Sequence, residues 1–205
     1  QKFTGSLNTP NGCRIINNYL WIGTWYTTYK FDPSTLSIIS TINIGTTKGF
    51  TTDGYYVFGF QTSGTNIYKI DPNNNTIVAT LNLGENIKND VQDNGYLCYN
   101  GYLYVITEYN KLVKININTF TVEETLNFSF PVYGMVLINN FLYITSPNNI
   151  DSKILKYDIL NNQFIYVSEK KYNYNLYTIR YYDNYFYIVC DNESGNKRII
   201  KTLSF

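Results

Sequence analysis

Acidic side chains are the residues of this sequence best suited to catalysis. Two carboxylates held several ångströms apart can serve as the acid and the base of glycoside hydrolysis. Six of them fall in segments that we predict to be loops on one face of the fold: Glu85, Asp90, Glu108, Asp151, Asp191 and Glu193. No motif marks any pair, and the sequence does not fix their separation. We therefore predict no catalytic residues and keep glycan hydrolysis as the alternative to a non-enzymatic function.

Other reactive groups are scarce. The chain has no histidine, which excludes Ser–His and Cys–His catalysis in their usual forms. Its three cysteines, Cys13, Cys98 and Cys190, are far apart in the sequence, so a zinc site is disfavoured and no disulfide pairing is specified. We expect them to be small buried hydrophobic residues, with one disulfide as the alternative. Residues 191–193 could hold calcium, but a solvated acidic loop is the favoured interpretation, and we predict neither metal nor cofactor.

Aromatic and polar loop residues are the better candidates for binding. Trp25 and Tyr26 form an aromatic pair that can stack on a sugar or anchor a protein interface; alternatively, Trp25 begins a strand and packs internally. Tyr172 and Tyr174 are expected to form a second exposed cluster, unless they lie in a solvated link. The predicted binding residues are Trp25, Tyr26, Gln61, Glu108, Tyr109, Asp151, Tyr172 and Tyr174.

Composition limits the partners. The 205 residues carry a formal charge of +1, so nothing favours nucleic acid. No apolar run approaches the roughly 20 residues of a membrane-spanning helix, so we predict no membrane insertion. The 22 tyrosines indicate an all-β protein, and 44% hydrophobic content suffices for one domain. Because the sequence begins with Gln1, we expect a processed chain or one cut from a longer polypeptide.

The elements that would position these residues recur five times, at intervals of about 40 residues. Each unit has an aromatic strand after a two-residue turn signal such as Asn17-Asn18 or Asn100-Gly101, which suits a type I′ hairpin. The five aromatic strands begin at Tyr19, Tyr55, Tyr102, Phe141 and Tyr185. The following strand carries a lysine in every unit: Lys30, Lys69, Lys114, Lys156 and Lys201. We expect these lysines to pack beside a neighbouring unit, with the ammonium in water or near an aspartate.

These units predict a five-bladed β-propeller of four-stranded antiparallel blades. The predicted blades span about residues 12–45, 48–84, 91–129, 132–169, and 175–205 plus 2–9. The last unit lacks a fourth strand, and Ser6-Leu7-Asn8 matches the missing pattern, so we expect the N-terminal strand to complete the last blade and close the ring. A β-sandwich is the rival, but it would not explain five equivalent units.

The run Tyr68-Lys69-Ile70-Asp71-Pro72, followed by residues 75–84, carries a family resemblance. It resembles the YVTN repeat family and, more loosely, Kelch- and quinoprotein-like propeller repeats. The resemblance covers nearly the whole chain and implies the fold rather than an activity. The YVTN family is associated with archaeal surface proteins. The Tyr-, Asn- and Ile-rich, Glu-poor composition also resembles that of secreted or virion proteins of thermophilic archaea and their viruses, so we expect an extracellular or virion protein.

Loops between the second and third strands vary from unit to unit, and the blade-to-blade links open on the same face. Because variable loops on a rigid scaffold usually carry function, we predict that this face binds the partner. We therefore predict a non-enzymatic recognition module on a cell or virion surface that binds a host-surface glycan or protein. The alternatives are the carboxylate hydrolase and a purely structural decoration of a capsid or filament, in contact with neighbouring subunits.

Overall fold

A computed structural model describes residues 7, 9–45, 47–61, 64–88, 95–148, 151–160, 164–191 and 197–203, with nothing given for the Lys48 side chain. These residues form five antiparallel sheets, each built from consecutive strands. The predicted all-β, five-bladed propeller is therefore confirmed. Within the described ranges, no helix is long and apolar enough to cross a membrane.

The strands run in chain order across each blade. Blade 1 contains β1 (Gly12–Ile16), β2 (Tyr19–Gly23), β3 (Thr28–Phe31) and β4 (Ile38–Ile42). Blade 2 contains β5 (Thr47–Thr52), β6 (Val57–Gln61), β7 (Asn66–Asp71) and β8 (Thr76–Asn82). Blade 3 contains β9 (Tyr96–Tyr99), β10 (Tyr102–Ile106), β11 (Lys111–Asn116) and β12 (Thr121–Asn127). Blade 4 contains β13 (Met135–Ile138), β14 (Phe141–Ser146), β15 (Ser152–Asp158) and β16 (Ile165–Tyr172). The described part of blade 5 contains β17 (Asn175–Tyr182), β18 (Tyr185–Asp191) and β19 (Lys197–Leu203).

The turn residues adopt the conformation predicted from the sequence at most hairpins. Both central residues have positive φ at Asn17-Asn18, Asn100-Gly101 and Asp183-Asn184, as a type I′ turn requires. Between the third and fourth strands, an Asp or Asn side chain accepts the backbone N–H two residues later, which holds the turn. This contact occurs at Asp32, Asp71, Asn116 and Asp158, with distances from 2.7 to 2.9 Å.

Blade 2 departs from the predicted alignment. Its first turn is longer because Asp53 Oδ1 accepts the N–H groups of Tyr55 and Tyr56, at 2.8 and 2.7 Å. Strand β6 therefore begins at Val57, and the residue equivalent to Tyr19 is Tyr56 rather than Tyr55. The predicted alignment at Tyr55 was therefore wrong by one residue, and the strand itself starts two residues later than predicted.

The five repeat lysines lie one per blade on the third strand, each with its Nζ over an aromatic ring at the start of the second strand. The distances to the ring centroid range from 3.9 to 4.4 Å. Lys30 and Lys69 are buried, and each also donates to a carbonyl of the next blade: Pro72 O at 2.6 Å and Ile117 O at 2.8 Å. Burial lowers the pKa of Lys30. Packing beside the next blade is confirmed for these two lysines. Their ammonium groups are buried rather than in water, and the charge of Asp71 in the next blade acts on Lys30.

Successive blades pack face to face, and we call each such junction a seam. The forward face of a blade is the side turned to the next blade in the chain, and the backward face is the opposite side. Buried apolar clusters fill the seams between blades 1 and 2, 2 and 3, 3 and 4, and 4 and 5. The alternation of side chains along each strand supplies one set of apolar residues to each face, which is why the core is divided among the seams.

The forward face of blade 5 differs from the other four. Ile199 on β19 is 71% exposed, whereas Ile67, Leu112 and Ile154 at the equivalent position are fully buried. The backward face of blade 1 is open as well, with Ile15 67% exposed and Cys13 exposed. Among the described residues, no buried cluster joins blades 1 and 5, and we call this junction the open seam.

Strand β19 also has the exposure pattern of the fourth strands β8 and β12 rather than that of a third strand. The predicted completion of this sheet by residues 2–9 lies outside the described residues, apart from Leu7 and Thr9.

Candidate functional site

The links between blades and the loops between second and third strands meet on one face, which we call the loop face. Lys88 N donates to Ile106 O at 3.1 Å, and Glu108 N donates to Asn86 O at 2.9 Å. Thr47 N donates to Thr24 O at 3.1 Å in the same way. These bonds fix the first two links beside the loops of the blades that they join, so the predicted grouping on one face is confirmed for these links. Most of the predicted link at residues 170–175 instead belongs to strands.

An aromatic pocket of about 450 Å³ opens on this face at the junction of blades 4 and 5. Its walls are two tyrosines, two prolines and two asparagines: Pro131, Tyr133, Pro147, Asn148, Asn175 and Tyr177. The rings of Tyr133 and Tyr177 stand edge to face, with centroids 5.7 Å apart and an interplanar angle of 76°. Such a pocket offers apolar ring surface together with amide donors and acceptors, the combination that recognises a polar ligand with flat apolar patches.

The backbone under the two tyrosines is tightly fixed. Thr145 Oγ1 accepts from Gly134 N at 2.9 Å and lies 2.5 Å from Tyr177 O, to which it donates. A Cβ on Gly134 would lie 2.7 Å from Tyr177 O, so only glycine allows this approach. Tyr133 N donates to Thr145 O at 2.9 Å. The pocket is therefore held in place before any ligand arrives.

Charged groups flank the pocket on both sides. Tyr177 donates its hydroxyl to Asp191 Oδ2 at 2.9 Å. Burial, together with this bond to the carboxylate, raises the pKa of Tyr177 to about 12, so the phenol stays neutral. On the other side, Lys88 Nζ lies 4.0 Å from the centroid of the Tyr133 ring. A cation thus lies over the ring of Tyr133, and a carboxylate accepts from the hydroxyl of Tyr177.

Trp25 and Tyr26 occupy the tip of the loop between β2 and β3. The loop is closed by Thr24, whose N–H donates to Thr27 O at 2.9 Å and whose Oγ1 donates to the same oxygen at 2.8 Å. Trp25 is 50% exposed and Tyr26 68% exposed. Trp25 therefore precedes β3 rather than beginning it, and both rings are presented on the loop face.

Glu108 and Tyr109 sit together after β10 but point to different surroundings. Glu108 Oε2 accepts from Asn86 Nδ2 at 3.1 Å, which ties it to the neighbouring link. Tyr109 is exposed and lines a groove of about 530 Å³ with Glu85 and Lys111, which form an ion pair at 2.7 Å. The structure therefore separates Glu108 from this groove.

Gln61 and Asp151 lie in separate places on the loop face. Gln61 ends β6, and its side chain packs against Gly45 and Gly64. Asp151 pairs with Lys171 at 3.1 Å and with Lys153 at 3.8 Å. Both side chains have local partners that account for their positions.

Tyr172 and Tyr174 do not form the exposed cluster that the sequence predicted. Both pack partly buried against the core between blades 4 and 5, and the Tyr172 hydroxyl is shielded from solvent. The reason is that β16 runs to Tyr172, longer than predicted, and draws this segment into the seam.

The predicted loop-face carboxylates are held by different donors. Glu85 pairs with Lys111, Glu108 with Asn86, Asp151 with Lys171, and Asp191 with Tyr177. Asp90 and Glu193 lie outside the described residues. In the part of the chain that the structure describes, no group of three or more acidic, cysteine or histidine side chains could hold a metal ion.

The cysteines differ from one another. All three are free thiols. Cys190 is buried as predicted, but Cys13 is exposed on the open seam, so that part of the prediction was wrong. Burial raises the pKa of the half-buried Cys98 to about 12. Cys98 shares a central cavity of about 400 Å³ with Arg14 and Arg180 from the innermost strands of blades 1 and 5.

Sequence reasoning missed the two pocket tyrosines. Asn148 and Asn175 lie in segments that were assigned to the loop face, but Tyr133 and Tyr177 were not singled out. A tyrosine two residues after Pro131 in a blade-to-blade link was the available signal for Tyr133. Tyr177 sits inside the long strand β17 and gives no such signal, because Tyr is common throughout the chain.

A family model described as "Repeat of unknown function (DUF6923)" matches residues 27–137, slightly more than half of the chain. The chain belongs to this family. The match runs from the second half of blade 1 to the first strand of blade 4, so DUF6923 here denotes propeller blades. No curated protein matches the sequence.

Solved structures resemble the DUF6923 chain in fold. Hydrazine synthase of Kuenenia stuttgartiensis is 12% identical with a TM-score of 0.73, over 93% of this chain and 59% of that one. The Cps50 (Swd1) β-propeller domain of Myceliophteria thermophila is 9% identical with a TM-score of 0.67, over 98% and 74%. The Pan2 WD40 domain of Neurospora crassa is 10% identical with a TM-score of 0.68, over 95% and 65%. The chain thus spans about three fifths of the hydrazine synthase chain. These structures include an enzyme, and at such identities the likeness shows the fold alone.

Proposed function

We propose that this protein is a non-enzymatic recognition module that binds a host-surface glycan through its loop face. The aromatic pocket carries the proposal. Sugar rings present flat C–H faces that stack on tyrosine, while their hydroxyls exchange hydrogen bonds with amides such as those of Asn148 and Asn175. The pocket is large enough, at about 450 Å³, for one or two sugar units.

The site chemistry favours a glycan over a folded protein partner. The pocket is open to solvent and lined by polar as well as aromatic groups, which suit the hydroxyls and the C–H faces of a sugar. The exposed Trp25 and Tyr26 supply a second aromatic contact on the same face, suited to a longer chain of sugars. The YVTN resemblance supports a place outside the cell or on a virion, and an archaeal or archaeal-virus source.

Binding of the purified chain to a glycan array tests the proposal. Tyr133→Ala should weaken binding of a positive glycan by about fivefold, because it removes one stacking surface worth about 1 kcal/mol. Tyr55→Ala is the matched control: Tyr55 is 80% exposed in the hairpin between β5 and β6, on the face opposite the loops. It should leave binding unchanged, and both variants should keep the melting temperature of the parent chain to within about 3 °C.

Several results would overturn the proposal. Equal loss of binding in Tyr133→Ala and Tyr55→Ala would exclude the aromatic pocket as the glycan-binding site. If the chain bound host proteins and no glycan, the ligand would be a protein rather than a glycan. Cleavage of a bound glycan, abolished by Glu108→Gln or Asp151→Asn, would replace the recognition module with the carboxylate hydrolase.

A further inference from the structure

The forward face of blade 5 has the composition of an interior surface. It carries Tyr187, Val189 and Ile199 in the register that Tyr143, Thr145 and Ile154 occupy on blade 4. On blade 4 those three side chains are buried against blade 5, whereas Ile199 is largely exposed. Monomeric proteins rarely leave a contiguous apolar face uncovered, so this face is built to be covered.

The four closed seams show what kind of surface covers such a face. Each forward face packs on the backward face of a following blade, as Trp21 does on Phe50 and Val57. That following blade also brings its turn between third and fourth strands over the repeat lysine, as Pro72 O and Ile117 O do for Lys30 and Lys69. Lys201 holds the same position over the Tyr185 ring, at 3.9 Å, but is exposed.

The backward face of blade 1 is the counterpart. Cys13, Ile15 and Leu20 lie in the register of Phe50, Thr52 and Val57. Phe50 and Val57 belong to the cluster that fills the seam between blades 1 and 2. Cys13 and Ile15 are exposed. If the first and last blades covered each other, both faces would be buried together.

We propose that further repeats of this same type dock between blade 5 and blade 1 and complete the ring in one continuous polypeptide. Propellers contain four to eight blades. The five blades cover 74% and 65% of the two longer propeller domains with which they superpose. The uncovered remainder corresponds to about two more blades of this size.

The same comparison argues against a second copy as the occupant. Another copy would add five blades, whereas the longer propeller domains have about two blades beyond those that superpose on this chain. Head-to-tail contacts between such copies would give open filaments unless their rotation happened to close a ring. The repeats of a ring, by contrast, need only their two neighbours, so added blades stabilise both faces at once.

The test extends the chain. Residues 1–88 are appended after Phe205, so that a second copy of blades 1 and 2 follows blade 5, with Cys13→Ser in the appended copy. The appended Ser6-Leu7-Asn8 then stands where the sequence pattern of blade 5 calls for a fourth strand. We expect the original Cys13 to react with a thiol reagent at least about tenfold more slowly than in the parent chain, because the appended blade 2 covers it.

Ile199→Asp provides the matched control in both chains. In the parent chain it should leave the melting temperature within about 2 °C, because Ile199 is exposed. In the extended chain it should lower the melting temperature by about 5 °C or more, because the aspartate would be buried in the new seam. Light scattering should show both chains to be monomers.

Three results would overturn the proposal. An unchanged Cys13 rate in the extended chain would show that the appended blades do not dock. Strong destabilisation of a monomeric parent chain by Ile199→Asp would show that blade 1 already covers blade 5. A dimeric parent chain that Ile199→Asp dissociates would assign the face to a second copy. A failure of glycan binding would not bear on any of these results, because the pocket is not part of the open seam.

Discussion

The seam between blades 4 and 5 and the open seam present the same type of surface under opposite conditions. Ile154 and Ile199 stand two residues before a repeat lysine, on equivalent strands of neighbouring blades, yet one is fully buried and the other mostly exposed. The sequence of a repeat therefore makes one face of its blade apolar, but it does not determine whether that face is buried. Burial comes from the next blade, which is how stability arises in arrays whose units contact only their neighbours.

The repeat lysines show the same difference for a polar group. Lys30 is buried and has a ring below it and a carbonyl of the next blade beside it. Lys201 keeps the ring and lies in solvent. Burying an ammonium is costly unless it is paired and hydrogen-bonded, so the cation–π contact and the carbonyl together make the burial of Lys30 tolerable. The lysine thus acts as a connection between blades rather than as a ligand contact.

Truncation of the two isoleucines should give the largest contrast. Ile154→Ala is expected to cost about 2–5 kcal/mol of unfolding free energy, because it leaves a cavity in a closed seam. Ile199→Ala should cost less than about 0.5 kcal/mol, because its side chain already contacts water. Urea denaturation of both variants measures the difference.

Ile67→Ala extends this comparison to the seam between blades 2 and 3, where the side chain is also fully buried. It should behave as Ile154→Ala does. If Ile199→Ala were as destabilising as Ile154→Ala, the open seam would be closed in solution.

Replacement of the lysines should give a smaller contrast. Lys69→Met keeps the length of the side chain but removes the donor to Ile117 O, and it is expected to cost about 1.5–3 kcal/mol. Lys201→Met should cost less than about 1 kcal/mol, because it removes only an exposed cation–π contact. The midpoints of urea denaturation report both values.

A stabilising Lys69→Met would show that desolvation of the ammonium outweighs its two contacts. Equal losses in the two variants would show that the ring contact, common to both, carries the whole effect.

The repeat could be predicted from sequence because its signals are local. Turn residues at Asn17-Asn18 and Asn100-Gly101, the capping aspartates and the alternation of apolar residues each act within a few positions. The one-residue error at Tyr55 arose where Asp53 bonds to two backbone N–H groups and lengthens the turn. Two hairpins can share the same Asp-Gly or Asn-Gly signal and still differ in length.

The candidate site could be predicted only in part because it depends on contacts between distant segments. Trp25 and Tyr26 were found because a loop tip is exposed whatever the neighbouring blade does. Tyr172 was misplaced because the length of β16 is set by pairing with β15 and by packing on blade 5. Tyr133 and Tyr177 are in contact because Gly134 allows blades 4 and 5 to approach closely. No local sequence pattern predicts such an approach between two blades.

Thiol reactivity sharpens the comparison without changing stability. Cys13 on the open seam should react within minutes at pH 8, whereas Cys190, buried in the seam between blades 4 and 5, should react only after unfolding. Cys98 should react about a thousandfold more slowly than an ordinary thiol, because burial raises its pKa to about 12 and leaves little thiolate. Mass spectrometry of the labelled peptides measures the three rates, and Cys13→Ser should remove the fast phase alone. Rapid labelling of Cys190 would mean that this closed seam opens as readily as the open one, and the contrast between the two would then lie in their dynamics rather than in their packing.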